Sequence, residues 1–375
     1  MKMPIDVVAP FEVEDDHQSY IMHFTGGIQA WQRDKDSWSY GPIIYKGEPV
    51  MAGMLSTEVL RFAINQMGLS PIILAHRVCI DGSSSTILRS MNPNKKNDTL
   101  SAADVWGTIS GNIVKKRVAA FRAQNPNATT EEVLKVINRK TSEEIFARFI
   151  SESLRSMDIC IDAISSYYHE QLVIFLREGK KVGERSSNIA DLTCIANVHS
   201  FFLHLGAARD YLGALIAQRC GMPDNVDDMA RLLDKLRWNN LPMDSILQTL
   251  IKRNVVTKKD NSEKCKLSGW LDRISGVRKQ MVHKRPYGSH ESEEYGHIRS
   301  AGDLKGHYRF WKPIYLETNS DQDALDFISD AYHKITELFG EVALASGNDT
   351  SIPILTDKEI KKLEVTAGKP PKEQI

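Results

Sequence analysis

The chain has 375 residues, 42% hydrophobic and 26% charged, the composition of a globular protein with room for two domains or one elaborated domain. Lysine plus arginine equals aspartate plus glutamate, 48 each, so no global basic excess marks a nucleic-acid binder and any such surface has to be local. No stretch approaches 18 uninterrupted apolar residues and MKMPIDVVAPFEVEDD lacks the apolar core of a signal peptide, so neither a helical membrane span nor a conventional secretory leader is expected.

In chain order, residues 1–52 intersperse Trp31, Trp38, Tyr40, Ile43, Ile44 and Tyr45 with glycines and prolines, the pattern of short strands and turns. Ser56 and Thr57 can cap a helix running to about Met67 and closed by Gly68. PIILAHRVCI (71–80) suits a strand or a buried helix equally, because a short apolar run carries no decisive period. The polar SSSTILRSMNPNKKND (83–98) is expected to be a surface loop. Ser101 with Asp104 marks a helix to about Gln124.

From Thr129 the character changes. Thr129 and Glu132 form a capping box, and helical sequence runs to about Glu178 with a break near 140–142. Phe146, Ile150, Leu154, Met157, Ile161, Ile164, Tyr168, Leu172 and Phe175 recur in steps of three and four, an apolar stripe. After a polar turn, residues 189–219 carry a second stripe from Leu192 to Leu215, and two long helices on a short turn are expected to pack antiparallel. Shorter helices are expected at 225–237 and 243–255, an extended segment at 308–316, and a last helix from about Ser320. Residues 346–375 form a polar tail without periodicity. The cysteines, Cys79, Cys160, Cys194, Cys220 and Cys265, are scattered without a CxxC. They suit a reducing compartment, and the expected location is the cytoplasm.

One stretch gathers chemistry: SGWLDRISGVRKQMVHKRPYGSH, 268–290. Pro286 lacks an N–H and restricts its predecessor, so a helix here should end at about Lys284 or Arg285. Arg278, Lys279, His283, Lys284 and Arg285 then cluster near its end. A guanidinium can fork onto phosphate oxygens and an imidazole can move protons near neutral pH. The ordinary reading of Lys284 and Arg285 is compensation of the helix dipole. For Tyr287 it is packing, and for His199 and His204 structural hydrogen bonding. Asp210 beside Arg209 reads as a helix-surface ion pair. His290 and His297 with Glu291, Glu293 and Glu294 have no recognised metal-ligand spacing, and no metal or cofactor is expected.

An Arg, four intervening residues and a His at a helix end resembles the HEPN superfamily. So does the order of elements over about 143–345: two long antiparallel helices, short helices, the motif helix, a closing helix. KRPYG after the motif also looks like family members, whereas Lys279 stands where many have Asn, Asp or His. The resemblance implies a mainly α fold, an up-and-down helical bundle over 131–345 with an N-terminal α+β elaboration over 1–130. It also implies a metal-independent endoribonuclease, a toxin or antiviral effector, active as a homodimer and restrained by an inhibitory or antitoxin partner. Arg278 and His283 would be catalytic. Lys279, Lys284 and Arg285 would contact the RNA backbone, and Tyr287 would stack on a base. The alternatives are a non-catalytic helical module binding a protein or nucleotide, and an unrelated helical enzyme with its site in the N-terminal third.

Overall fold

The computed structural model describes residues 6–8, 18–80, 83–91, 101–316 and 319–351; the polar tail beyond 351 and the 92–98 part of the expected loop lie outside them. Seven strands open the chain: β1 (Asp6–Val8), β2 (Gln18–Phe24), β3 (Gln29–Asp34), β4 (Ser37–Tyr45), β5 (Glu48–Ser56), then, after helix α1 (Thr57–Gln66), β6 (Pro71–Ile80) and β7 (Ser83–Ser90). They form one antiparallel sheet in the order β1-β5-β4-β3-β2-β6-β7.

Helices α2 (Ala102–Gln124), α3 (Thr130–Asn138), α4 (Ser142–Arg177) and α5 (Asp191–Arg219) follow, then the short α6 (Met229–Lys235) and α7 (Ser245–Lys252). Caps set their starts. Ser56 accepts from Val59 N, Ser101 from Asp104 N, and Thr129 and Thr141 each close a full capping box with the Glu three residues on. Such caps satisfy backbone donors that the first turn leaves without partners. The C-terminal part interleaves helix and ribbon: β8 (Val256–Lys258) with β9 (Cys265–Leu267), α8 (Gly269–His283), α9 (Glu291–Glu294), β10 (His297–Ser300) with β11 (Tyr308–Trp311), β12 (Pro313–Leu316) with β13 (Asn319–Asp323), and α10 (Ala324–Ala345).

This corrects the fold expected from sequence. The α+β region expected at the N-terminus is present, but the chain as a whole is not mainly α and not an up-and-down helical bundle. It is α+β, with a seven-stranded sheet and three two-stranded ribbons among the described residues. SSSTILRS, expected as loop, is the strand β7. It pairs along its whole length with β6, from Ile73↔Ser90 to Ile80↔Ser83, so backbone hydrogen bonding to the strand just before it supplies what its side chains do not. The segment 286–307 and the charged run at 258–266 likewise carry ribbon strands.

Helix α4 organises the body. Its stripe is buried from Ile150 to Phe175, and it runs antiparallel to α5: Phe149 meets Tyr211 at one end and Tyr167 bonds Asp191 at the other. Leu192, at the head of the second stripe, is 62% exposed. On another side α4 meets the sheet. Ile21, His23, Gln29 and Trp31 share one face, being paired across β2 and β3. His23 Nε2 lies 3.4 Å from Asp162, and His169 Nδ1 lies 2.9 Å from the Gly27 carbonyl. Helices α2 and α10 close the remainder, with Ser151 donating to the Ala103 carbonyl and Trp106 Nε1 to that of Phe339. Phe310 of β11 sets its ring edge-on among Tyr167, Tyr168 and Phe175. One hydrophobic core therefore runs from Phe24 of the sheet to Ala343 of α10, crossing the turn near residue 130. No described helix is long and apolar enough to cross a membrane.

Candidate active site on helix α8

Leu271, Ile274, Val277 and Met281 recur at helical spacing and are the buried face of α8, which seats it against the body. Ser268 anchors the entry by donating from Oγ to the Asn254 carbonyl, 2.6 Å. The helix ends at His283 with Lys284 as its C-cap, three residues before Pro286, in keeping with the restriction proline imposes.

Arg278 sits at the edge of the buried face and lies across α5 at Gly206. A Cβ placed on Gly206 would fall 2.1 Å from Arg278 Nε and 2.6 Å from Cδ, so the glycine is the notch in which the guanidinium rests. The Nε is buried without a hydrogen-bond partner, and among the described residues Arg278 has no ion pair. Its neighbour across the α5–α8 contact, Arg209, is engaged instead: Nη1 donates to Ser275 Oγ at 2.8 Å and Nε and Nη2 fork onto Asp210 Oδ1. A half-buried guanidinium without a counter-ion presents a fixed positive field to an incoming anion.

His283, Lys279 and Lys284 are exposed. Five positions of ideal helix separate Arg278 from His283 by a rise of about 7.5 Å and a rotation of about 140°, so one copy of α8 offers the two groups on different strips of surface.

The loop after the helix departs from the sequence reading and needs correction at two residues. Arg285 is not a free backbone contact for RNA. Its guanidinium pairs with Glu293 at 3.1 Å, donates to the Tyr315 carbonyl at 3.1 Å and lies 4.7 Å over the Tyr315 ring. Tyr287 is not a stacking platform. It is 2% exposed, its OH donates to the Pro313 carbonyl and its N–H donates to His199 Nε2 at 2.9 Å. Both residues instead position the turn that follows His283. Glu293, 1% exposed, is the hub, accepting from Arg285, from Gly288 N at 2.9 Å and from Tyr315 N at 2.7 Å. A carboxylate so surrounded is paired and hydrogen-bonded at once, the condition under which a buried charge is tolerated.

Lys279, His283 and Lys284 are thus exposed along the last turns of α8, Arg278 lies half-buried against α5, and Arg285 and Tyr287 are engaged in the scaffold. The sequence reading missed Gly206 and Glu293 as supports, whereas His199 makes the structural hydrogen bond expected of it. A glycine inside the strong helical run FFLHLGAARD signals close approach and could have pointed to the first. His290 stacks on Tyr315 at 4.1 Å and its Nδ1 caps α9 by accepting from Ser292 N.

The notch makes a prediction that separates stability from activity. Gly206→Ala removes a helix-interior glycine, worth up to about 1 kcal/mol of added stability, but displaces the Arg278 side chain. The melting temperature should hold or rise, while any reaction that uses the guanidinium should slow by about tenfold or more. Thermal melting and turnover on the same preparation check both halves.

No protein-family model, curated protein or solved structure matches this chain.

Proposed function

We propose that the chain is an endoribonuclease of HEPN type that acts as a homodimer, with Arg278 and His283 as its catalytic residues. The observation carrying this reading is the half-buried Arg278 guanidinium, seated in a notch and without a counter-ion, five positions before a solvent-facing histidine on the same helix. An imidazole takes the proton of a ribose 2′-hydroxyl, and the freed oxygen attacks the adjacent phosphorus. The guanidinium stabilises the added charge, and an imidazolium returns a proton to the departing 5′-oxygen. One P–O bond forms and one breaks, leaving a 2′,3′-cyclic phosphate and a 5′-hydroxyl. The proton transfers and charge stabilisation are supplied by side chains, so the reaction is expected to proceed without added metal.

Two imidazoles serve the acid and base roles most simply when two copies meet about a twofold axis. In support, apolar side chains are exposed on α8 and at the head of α5: Val282, next in sequence to His283, is 44% exposed, Leu192 62%, and Ile189 just before α5 82%. Exposed apolar groups beside a charged site mark association surfaces. The reaction is assigned to the cytoplasm, where the protein would act as a toxin or defence effector held in check by a partner.

The test is cleavage of mixed RNA in EDTA by the protein and by His283→Ala, with end-group analysis. The expected result is cyclic phosphate ends from the wild type and a loss of about 10²–10⁴-fold in the variant, with the fold intact by circular dichroism. Equal cleavage by both would sink the assignment. Silence from both, with a protein captured in pull-down, would favour a non-catalytic binding module on the same apolar border.

A further inference from the structure

Beside the seat of Arg278, α4 and α5 part to leave a cleft of about 470 Å³ lined by Phe149, Glu152, Ser156, His204, Ala207 and Tyr211 among others. Ala207 directly follows Gly206 on α5, and successive residues of a helix are rotated by about 100°. The mouth of the cleft and the guanidinium therefore occupy neighbouring strips of one helix. The floor is aromatic: the Phe149 and Tyr211 rings approach to 5.1 Å between centroids at 45°, and the Arg148 guanidinium lies 5.8 Å from the Phe149 ring.

The rim is polar in both senses. Ser156 gives its proton to the Glu152 carbonyl at 2.9 Å, leaving its oxygen as an acceptor. The Glu152 carboxylate, loosely paired with Arg148 at 3.5 Å, is a second acceptor. Burial pushes the His204 imidazole below its ordinary value, so at neutral pH it offers one donor and one acceptor. No cation among the lining residues calls for a phosphate there. An aromatic floor whose rings each offer a face for stacking, with mixed donors and acceptors at its edge, is the complement of a nucleobase.

We propose that this cleft binds a base of single-stranded RNA, splayed from the strand next to the phosphodiester that Arg278 contacts. The inference rests on the nuclease reading above for the direction of the strand, but it concerns a separate set of residues. It makes the cleft a specificity subsite: it selects which nucleotide stands beside the cut while the chemistry stays on α8.

The experiment uses the full chain carrying His283→Ala, so that RNA survives, with short single-stranded RNAs bearing 4-thiouridine at successive positions. Ultraviolet crosslinks are mapped to peptides. The expected result is crosslinking at one position to the peptides holding Phe149 or Tyr211. Affinity should fall by about tenfold in Tyr211→Leu and be retained in Tyr211→Phe, as loss of one stacked base implies. In the otherwise wild-type enzyme, Tyr211→Leu and the surface change His204→Ala should raise KM and alter the preferred base with kcat held.

Crosslinks elsewhere, with wild-type cleavage present, would overturn the subsite and leave the nuclease assignment standing. Crosslinks in the cleft without any cleavage would support the base site and remove the nuclease. Absence of both RNA binding and cleavage would overturn the two together.

Discussion

Replacing Gly27 with alanine should cost about 3 kcal/mol or more of stability, lowering the unfolding midpoint of the whole molecule. Gly27 lies at φ +87°, and a Cβ there would fall 2.5 Å from the carbonyl oxygen of Tyr168 and 2.7 Å from its carbon. Both obstacles are backbone, so no rotamer change relieves them. Overpacking of this kind costs about 1–3 kcal/mol, and a left-handed conformation adds about 1–2 kcal/mol for a residue with a Cβ. The approach is fixed on the other side by the hydrogen bond between the Gly27 carbonyl and His169. Gly47 is the control. At φ +90° with nothing within 4 Å of a Cβ, its replacement by alanine should cost the conformational part alone. Urea titrations followed by tryptophan fluorescence, which reads Trp31 and Trp38 in the sheet together with tryptophans such as Trp106 on α2, and by far-ultraviolet dichroism, which reads the helices, should shift together. Transitions that fail to coincide would mean that the molecule does not unfold as one unit, against the single core described above.

Asp158→Asn should stabilise the protein by about 2–4 kcal/mol at pH 8 and hardly at all at pH 4. Asp158 is 3% exposed and accepts from the Tyr332 hydroxyl at 2.6 Å. Burial pushes its carboxyl up to about 7, outweighing the pull of that hydrogen bond and of Arg155. A folded value above the unfolded one means that the contribution to stability is fully present below about pH 3.8 and is lost as pH rises through about 7. Asparagine keeps an acceptor for Tyr332 and carries no charge to bury.

Two histidines pull the opposite way. Burial lowers His23 to about 3 and His169 to about 4, so each withdraws stability as pH falls below about 6.5. In the wild type these slopes oppose each other between about pH 4 and 6.5. The Asp158→Asn variant loses one of the raised carboxyls on one side of the balance, Asp323 at about 7 remaining, and its stability should rise more steeply with pH over that range than that of the wild type. A parallel pair of curves would show that Asp158 is already charged and compensated in the fold.

The helices were legible because their start signals are local. Ser56, Ser101 and Thr129 each bond a backbone donor within three residues, and apolar spacing along α4 declares its own period. The sheet was legible only as short strands in residues 1–52; its closure was not, because β2 finds its partner β6 some fifty residues away and the polar β7 has no alternation to announce it. At the site, Arg278 and His283 could be placed at a helix end from Pro286 alone. The fates of Arg285 and Tyr287 depended on Glu293, Tyr315 and His199, which only the tertiary structure brings to them.

The position of α4 under the sheet also bears on how the chain is made. Strands β2 to β7 can pair as soon as residues 18–90 have emerged, but the face carrying Ile21, His23 and Trp31 waits for α4, which ends at Arg177. At about 5–20 residues per second a ribosome needs about 4–17 s to supply the intervening chain. During that interval the nascent protein displays a formed sheet with an uncovered apolar side, a natural client for holding chaperones on the ribosome.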